Sequence, residues 1–113
     1  MIHIIDDDVI MSECIANFVK PRPVHAFTNA IDAISALNDE IPDLIFLDIL
    51  LDGPNGFTYL NEIASYTETK KIPVVIITSM QLPSNLGPYG VVKILDKSTM
   101  TPADIRALAE EYS

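Results

Sequence analysis

The sequence predicts an α/β fold, a doubly wound, five-stranded parallel sheet with helices on both faces. Apolar segments of four or five residues alternate along the chain with segments that carry helical periodicity. Short segments rich in Ile, Val and Leu and bounded by polar residues are typical of strands buried on both faces. The 113 residues are enough for one domain with a substantial core, so residues 1–113 are predicted to form a single domain.

Five segments are predicted as strands because each is a short apolar stretch that stops at a breaker. They are Ile2–Ile5, Val24–Phe27, Leu44–Leu47, Val74–Ile77 and Val91–Leu95. The helices between them are Val9–Val19, Asn29–Asn38 and Phe57–Tyr66, and a last helix has Thr101 as its cap and Pro102 at its first position. Strands that alternate with helices predict right-handed crossovers and a parallel sheet.

The spacing of apolar residues within each helix predicts the side chains that face the core. In the first helix Ile10, Cys14 and Phe18 lie four residues apart, with Ile15 and Val19 beside them. The inward residues predicted for the other helices are Ala30, Ile31, Ile34 and Leu37, then Phe57, Leu60, Ile63 and Ala64, and finally Ile105, Leu108, Ala109 and Tyr112.

The segment between Ser79 and Val91 departs from the alternation. It contains two prolines and two glycines, and an internal proline costs a helix roughly 3 kcal/mol and a glycine about 1 kcal/mol. A loop with at most one helical turn is therefore predicted, so the fourth helix of the alternating pattern is short or absent. The apolar members of this loop are predicted to contact a partner; they are Met80, Leu82, Leu86 and Tyr89.

Composition excludes several classes of function. The net charge of −9 argues against a nucleic-acid partner, which would require a basic surface. The single Cys14 excludes an internal disulfide and favours a reducing compartment. Three aspartates interrupt the first apolar stretch, and no stretch is long enough to span a bilayer, so neither a secretory signal nor a membrane partner is predicted. We expect a cytoplasmic protein, and the positions of Met1 and Ser113 favour a complete small one.

Polar residues follow four of the five predicted strands. Asp6, Asp7 and Asp8 follow the first, Asp48 the third, Thr78 and Ser79 the fourth, and Asp96 and Lys97 the fifth. The carboxyl ends of parallel strands lie along one edge of the sheet, where ligands bind. The sequence therefore predicts a cleft that combines several carboxylates with a hydroxyl and an ammonium group.

These groups suit phosphoryl transfer, which depends mainly on positioning and on neutralisation of charge. A carboxylate can act as the nucleophile and form an aspartyl-phosphate, and Asp48 is the candidate. Asp6 and Asp7 are the candidate ligands of Mg²⁺, with Mn²⁺ as an alternative, because hard cations prefer oxygen ligands. Thr78 and Lys97 are the candidates to hold the remaining phosphoryl oxygens.

The motifs IIDDD, LIFLDILLDGPNG, VVIITS and ILDKS, in this order, resemble those of the receiver domains of two-component response regulators. The resemblance covers all 113 residues and implies the flavodoxin-like strand order 2-1-3-4-5. It implies that Asp48 is the phosphoacceptor and that Thr78 and Lys97 assist it. It also implies that the metal is held by Asp6, Asp7, Asp48 and the backbone carbonyl of Leu50.

The resemblance further implies partners and the absence of a separate enzymatic activity. A histidine kinase or histidine phosphotransfer protein would supply the phosphoryl group, and an unknown downstream protein would respond to it. A homodimer is a further expectation. The only catalysis implied is that of the chain's own phosphorylation and dephosphorylation.

Three positions depart from the family pattern in ways that concern signal output. Ser98 follows the lysine where the family usually has a proline, Ile94 replaces the aromatic residue three before the lysine, and Asp52 replaces a common proline. The first departure predicts a rearranged loop after Lys97, because a cis bond before a non-proline residue costs about 2.5–4 kcal/mol.

Two other functions compete with a phosphorylated receiver. A receiver-like interaction module that needs no phosphate would explain the altered output region. A small hydrolase of the haloacid-dehalogenase type would use Asp6 and Asp8, which have the Asp-x-Asp spacing, although Ile10 stands where that motif has threonine. His3 and His25 are interpreted as structural residues.

Overall fold

The computed structural model describes residues 1–51, 53, 55–82 and 85–113. Five parallel strands form one sheet in the order β2-β1-β3-β4-β5. The strands are β1 (Ile2–Ile5), β2 (Val24–Phe27), β3 (Leu44–Leu47), β4 (Val74–Thr78) and β5 (Val91–Asp96). The predicted fold class and strand order are confirmed. Asp52, which stands where the family commonly has a proline, lies outside the described residues.

Four helices connect or flank the strands within the described residues, and each begins at a side-chain cap. They are α1 (Val9–Phe18), α2 (Ala30–Ala36), α3 (Gly56–Ala64) and α4 (Pro102–Tyr112). Asp8, Asn29, Asn55 and Thr101 accept hydrogen bonds from backbone N–H groups of the first turns that would otherwise lack partners. Between β4 and β5 the described residues form a single 3₁₀ turn, Gly87–Tyr89, as the prolines and glycines predict.

The sheet separates two apolar layers, because successive side chains of a strand point to opposite faces. Ile5, Ile45 and Leu47 pack with α2 and α3 on one face. Ile2, Ile4 and Phe46 pack with α1 and α4 on the other. Both faces are thus covered, which explains why the central strands are continuous apolar stretches.

The predicted inward faces of α1 and α2 are partly wrong. Ile10 and Cys14 are exposed, and Ile31 is 61% exposed. In α1 the buried stripe instead runs through Ser12 and Ile15, so the helix is rotated relative to the predicted face. In α2 the small residues Ala30 and Ala33 face the sheet, because a short helix packed closely against strands presents its smallest side chains there. The inward faces predicted for α3 and α4 are buried or half-buried.

Part of the segment after β4 packs against the core and is not available as a contact surface. Leu86 is 6% exposed and belongs to the core beside α3, and Leu82 is half-buried against the same core. The prediction that Leu86 contacts a partner directly is therefore wrong for this conformation. Met80 and Tyr89 are exposed. None of the helices within the described ranges combines the length and apolar character needed to cross a membrane.

Candidate functional site

Asp6 and Asp48 lie side by side at the carboxyl edge of the sheet, each one residue beyond a strand. The N–H of Asp6 donates to the carbonyl of Phe27 over 3.0 Å, and the N–H of Asp48 donates to the carbonyl of Ile5 over 2.9 Å. The sheet's hydrogen bonding thus continues past the strands and fixes both backbones. Both side chains are buried, whereas Asp7 is exposed.

The carboxylates of Asp6, Asp7 and Asp48 converge on one point. Each offers an oxygen, and these three oxygens all lie within 4.8 Å of one another. Sequence reasoning predicted this group from strand ends alone. Three carboxylates at this spacing repel one another unless a cation lies between or beside them.

Lys97 supplies one such cation from the end of β5. Its Nζ lies 3.0 Å from Asp48 Oδ2 and 3.2 Å from Asp6 Oδ2. Its backbone N–H donates to the carbonyl of Thr78 over 3.1 Å, which fixes the lysine beside the end of β4. One ammonium against three carboxylates leaves an excess of negative charge, so the site retains affinity for a further cation.

Backbone N–H groups orient the other carboxylate oxygens. Leu50 donates to Asp48 Oδ1 over 3.0 Å, and Asp8 donates to Asp6 Oδ1 over 2.9 Å. Sequence reasoning did not identify these donors, although an aspartate at the start of a turn characteristically accepts from the backbone two residues later. The side chain of Asp8 accepts from Met11 as the cap of α1, so Asp8 contributes its backbone N–H to the site and its carboxylate to the helix.

Burial and hydrogen bonding change the proton affinities of two groups in the site. Burial raises the pKa of the Asp6 carboxyl above its ordinary value, and the Asp8 N–H and Lys97 oppose this only in part. Burial alone would lower the pKa of Lys97, but its contacts with Asp48 and Asp6 outweigh that effect, so the pKa is raised. Lys97 therefore remains charged at neutral pH.

Thr78 lies at the same edge, as the last residue of β4, and its side chain is 1% exposed. Its hydroxyl oxygen accepts a hydrogen bond from the N–H of Met80 over 3.2 Å. The register of β3 and β4 pairs Leu47 with Ile76, so Asp48 lies level with Ile77, one residue before Thr78. The predicted metal contact of the Leu50 carbonyl stays a prediction.

The loop after Lys97 is stabilised by Asp96. Its Oδ1 accepts from the backbone N–H of Ser98 over 2.8 Å and from the Ser98 hydroxyl over 2.6 Å. These bonds lower the pKa of the Asp96 carboxyl. Within the described part of the chain the cis peptide bond is Lys20–Pro21, and the Lys97–Ser98 bond is trans, so the loop differs from the family pattern as predicted.

The sequence and fold of the chain match those of a known protein family. The family model for the response regulator receiver domain matches residues 2–109. The chain belongs to this family. Receiver domains are phosphoaccepting signal transducers of two-component systems; they bind a divalent metal and interact with histidine kinases and downstream effectors.

Two curated relatives and one solved structure illustrate the similarity. The chain is 30% identical to the sensor histidine kinase CheAY of Helicobacter pylori over 79 residues, which are 66% of this chain and 10% of that protein. It is 35% identical to the protein PilH of Pseudomonas aeruginosa over 51 residues, 45% of this chain and 42% of PilH. The chain thus spans less than half the length of either relative.

The structural comparison shows the same fold. The Mn²⁺-bound form of the response regulator Rcp1 superposes with a TM-score of 0.76 at 21% identity, covering 96% of this chain and 88% of that one. At this identity the likeness establishes the arrangement of strands and helices. The roles of individual side chains are argued from the contacts described above.

Proposed function

We propose that residues 1–113 form a single receiver domain that takes a phosphoryl group onto the carboxylate of Asp48. The observation that carries the proposal is the position of Asp48, buried at the end of the central strand with Lys97 Nζ 3.0 Å from its Oδ2. A fixed carboxylate with an adjacent ammonium group is suited to in-line attack on phosphorus. Asp6 and Asp7 share the site but follow a strand nearer the edge of the sheet.

The proposed reaction moves the phosphoryl group from a phosphohistidine or a small acyl phosphate. An oxygen of Asp48 forms the new P–O bond as the bond to the donor breaks, and the leaving group keeps the electron pair. A departing imidazole nitrogen then takes a proton, whereas an acyl phosphate releases a carboxylate. Lys97 neutralises charge on the transferred oxygens, and the Thr78 hydroxyl donates to one of them. The Leu50 N–H holds Asp48 Oδ1 while the bond forms.

The donor set of the acidic cluster fits a hard divalent cation. All three ligand atoms are carboxylate oxygens, the pattern that Mg²⁺ prefers, and the exposed Asp7 leaves room for the waters that Mg²⁺ retains. We propose Mg²⁺ as the resident ion, with Mn²⁺ as a substitute, held by Asp6, Asp7, Asp48 and the carbonyl of Leu50. When bound, the ion supplies the positive charge that offsets repulsion between the carboxylates and the incoming phosphoryl group.

The proposed partners follow from this chemistry. A histidine kinase or histidine phosphotransfer protein supplies the phosphoryl group, and a downstream protein or a second copy of the chain responds. The response is a change of binding, and the chain catalyses only its own phosphorylation and dephosphorylation. The single cysteine supports a reducing, cytoplasmic location.

The proposal is tested by incubating the protein with acetyl phosphate and Mg²⁺ and measuring the intact mass. We expect one added phosphoryl group in the parent chain, none in Asp48→Asn, and an unchanged gain in Asp52→Asn. A gain in Asp48→Asn equal to that of the parent would contradict the assignment. No gain in a folded parent chain would favour an interaction module that works without phosphate.

The alternative function, a hydrolase of the Asp-x-Asp type, predicts different results. It would turn over a phosphomonoester, and Asp8→Asn would abolish that turnover. The structure favours the receiver, because Asp8 caps α1 and contributes only its backbone N–H to the site.

A further inference from the structure

A second group of metal-ligating side chains lies away from the acidic edge. The register of β1 and β2 pairs His3 with His25, so both imidazoles project from the same face, with ring centroids 5.7 Å apart. Glu40, in the segment after α2, contacts both rings: its Oε1 lies 2.7 Å from His3 Nε2 and 3.0 Å from His25 Nδ1. One ligand atom from each residue lies within 4.8 Å of the other two.

This cluster has a rigid buried side and an open side. His3 is fully buried, and the ring of Phe27 packs against His3 at 5.1 Å and against His25 at 4.3 Å between centroids. The side chains of His25 and Glu40 are 51% and 33% exposed, so a small ion can approach from their side. His3 lies three residues before Asp6, about 10 Å along the strand direction, which makes this cluster distinct from the acidic site.

We propose that His3, His25 and Glu40 bind one divalent cation of the zinc class. Two imidazole nitrogens with one carboxylate oxygen form a ligand set that suits Zn²⁺ and its neighbours Co²⁺, Ni²⁺ and Cu²⁺. Mg²⁺ prefers an all-oxygen set, so the two sites select different metals.

The two contacts to Glu40 require only a small widening to admit the ion. Tetrahedral ligands about 2.0–2.1 Å from Zn²⁺ lie roughly 3.3 Å apart, and the two contacts to Glu40 Oε1 are 2.7 Å and 3.0 Å. Glu40 follows α2 outside any helix or strand and His25 is half-exposed, so both can move outward by this amount. His3, held by the core, is the fixed ligand.

Metal binding also moves the protons on the two rings. Without metal, a carboxylate can only accept, so His3 Nε2 and His25 Nδ1 each carry a proton toward Glu40. Metal binding shifts each proton to the other ring nitrogen. For His25 that nitrogen has access to solvent, but His3 Nδ1 is buried without a partner among the described residues. A ligand histidine that lacks such a partner loses roughly 10–100-fold in affinity, so we expect weaker binding than at a zinc site whose histidines all have such partners.

The test is a calorimetric titration of chelator-treated protein with ZnCl₂ in excess Mg²⁺, which occupies the acidic site. A Cys14→Ser background removes the exposed thiol, which is the one thiol in the sequence. We expect one equivalent of Zn²⁺ to bind, and Co²⁺ to give a visible absorption band typical of nitrogen and oxygen ligands. Absence of Zn²⁺ binding in the folded protein would overturn the proposal.

Variants locate the site. His25→Gln and Glu40→Gln are each expected to lower Zn²⁺ affinity by about tenfold or more, because each removes one of three ligands. Both positions are partly exposed, so the fold should be retained, as circular dichroism would verify. The matched controls Asp39→Asn, beside Glu40, and Asp7→Asn, in the acidic site, should leave Zn²⁺ affinity unchanged. Unaltered affinity in His25→Gln, or a loss in Asp7→Asn, would place the ion elsewhere.

The proposal stands independently of phosphorylation. Asp48→Asn should bind Zn²⁺ like the parent chain, so failure of the phosphoacceptor assignment and failure of this site give different results. Histidine ring ¹⁵N spectra add a direct readout, since Zn²⁺ should shift His3 Nε2 and His25 Nδ1. A spectrum unchanged at saturating Zn²⁺ would contradict the assignment.

Discussion

A methyl group added at Gly56 would lie 2.8 Å from the carbonyl oxygen of Asp48. It would also lie 2.7 Å from the Cα of Ile49, and the N–H of Gly56 donates to the carbonyl of Ile49 over 3.0 Å. The start of α3 is therefore packed directly against the backbone of the proposed phosphoacceptor. Glycine is required here by this close approach, since the backbone conformation of Gly56 is not left-handed.

The first prediction is that Gly56→Ala destabilises the fold and slows phosphorylation. The added methyl forces α3 away from Asp48, and overpacking of this kind typically costs about 1–3 kcal/mol. Urea unfolding and the rate of mass gain with acetyl phosphate measure the two effects. Gly87→Ala is the matched control, because a methyl at Gly87 meets no atom within 4 Å. Equal behaviour of the two variants would show that the contact does not constrain the site.

The second prediction separates two neighbouring aspartates. Asp7→Asn should weaken Mg²⁺ binding by about tenfold or more, at least 1.4 kcal/mol, because it removes a carboxylate from the cluster. Asp8→Asn should leave Mg²⁺ affinity nearly unchanged, because asparagine also caps helices and the N–H that Asp8 donates to Asp6 remains. Titration of each protein with Mg²⁺ gives the comparison. A greater loss in Asp8→Asn would reverse the assignment.

The third prediction concerns the lifetime of the phosphorylated state. Hydrolysis needs a water in line with the P–O bond. In the family, the side chains two residues after the acceptor aspartate and two residues after the hydroxyl residue that corresponds to Thr78 flank that path. Here they are Leu50 and Met80, which are 52% and 40% exposed. Both side chains are apolar and unable to orient a water, so we expect slow self-dephosphorylation.

Leu50→Asn and Met80→Glu together should shorten the half-life of the phosphoprotein, measured by the decay of its mass peak. Leu50→Met, which keeps an apolar side chain, is the control. The Leu50 N–H that contacts Asp48 is present in every variant, so positioning of the acceptor is preserved. An unchanged half-life in the double variant would refute the role of the flanking side chains.

The strands and the acidic site could be predicted from sequence because both depend on local signals. Each apolar stretch stops at its breaker, and the strand-end rule alone brings Asp6, Asp48 and Lys97 together. The buried faces of the helices were harder to predict. In α1 the stripe through Ile10 and Cys14 has helical spacing, as does the stripe that is buried, so spacing could not choose between them.

The cluster of His3, His25 and Glu40 could not be predicted from local sequence patterns. His3 and His25 hold the same position in strands that proved to be neighbours, and this register could have suggested a pair. Glu40 lies in a segment without periodicity, so its contact with both rings depends on how α2 returns to the sheet. Such contacts arise from tertiary packing, which no short pattern in the sequence encodes.

The last prediction concerns how phosphorylation alters the segment after β4. The Thr78 hydroxyl now accepts from the N–H of Met80 over 3.2 Å. When the Thr78 side chain rotates to carry its hydroxyl to a phosphoryl oxygen, the hydroxyl oxygen moves away from the Met80 N–H, and the following residues must adjust. Leu86 anchors this segment in the core beside α3, so the adjustment works against that packing. Ordering or release of a segment is an established mode of switching.

We therefore expect beryllofluoride with Mg²⁺ to change amide-exchange protection chiefly in residues 80–90 and at the start of β5. Met80 itself should lose protection, because its hydrogen bond depends on the Thr78 hydroxyl. Thr78→Val removes the hydroxyl at nearly constant shape, so Met80 should already exchange fast and the adduct should change the segment little. Thr78→Ser retains the hydroxyl and should behave like the parent chain. Protection changes confined to α1, with residues 80–90 unaffected, would show that the signal leaves through another face.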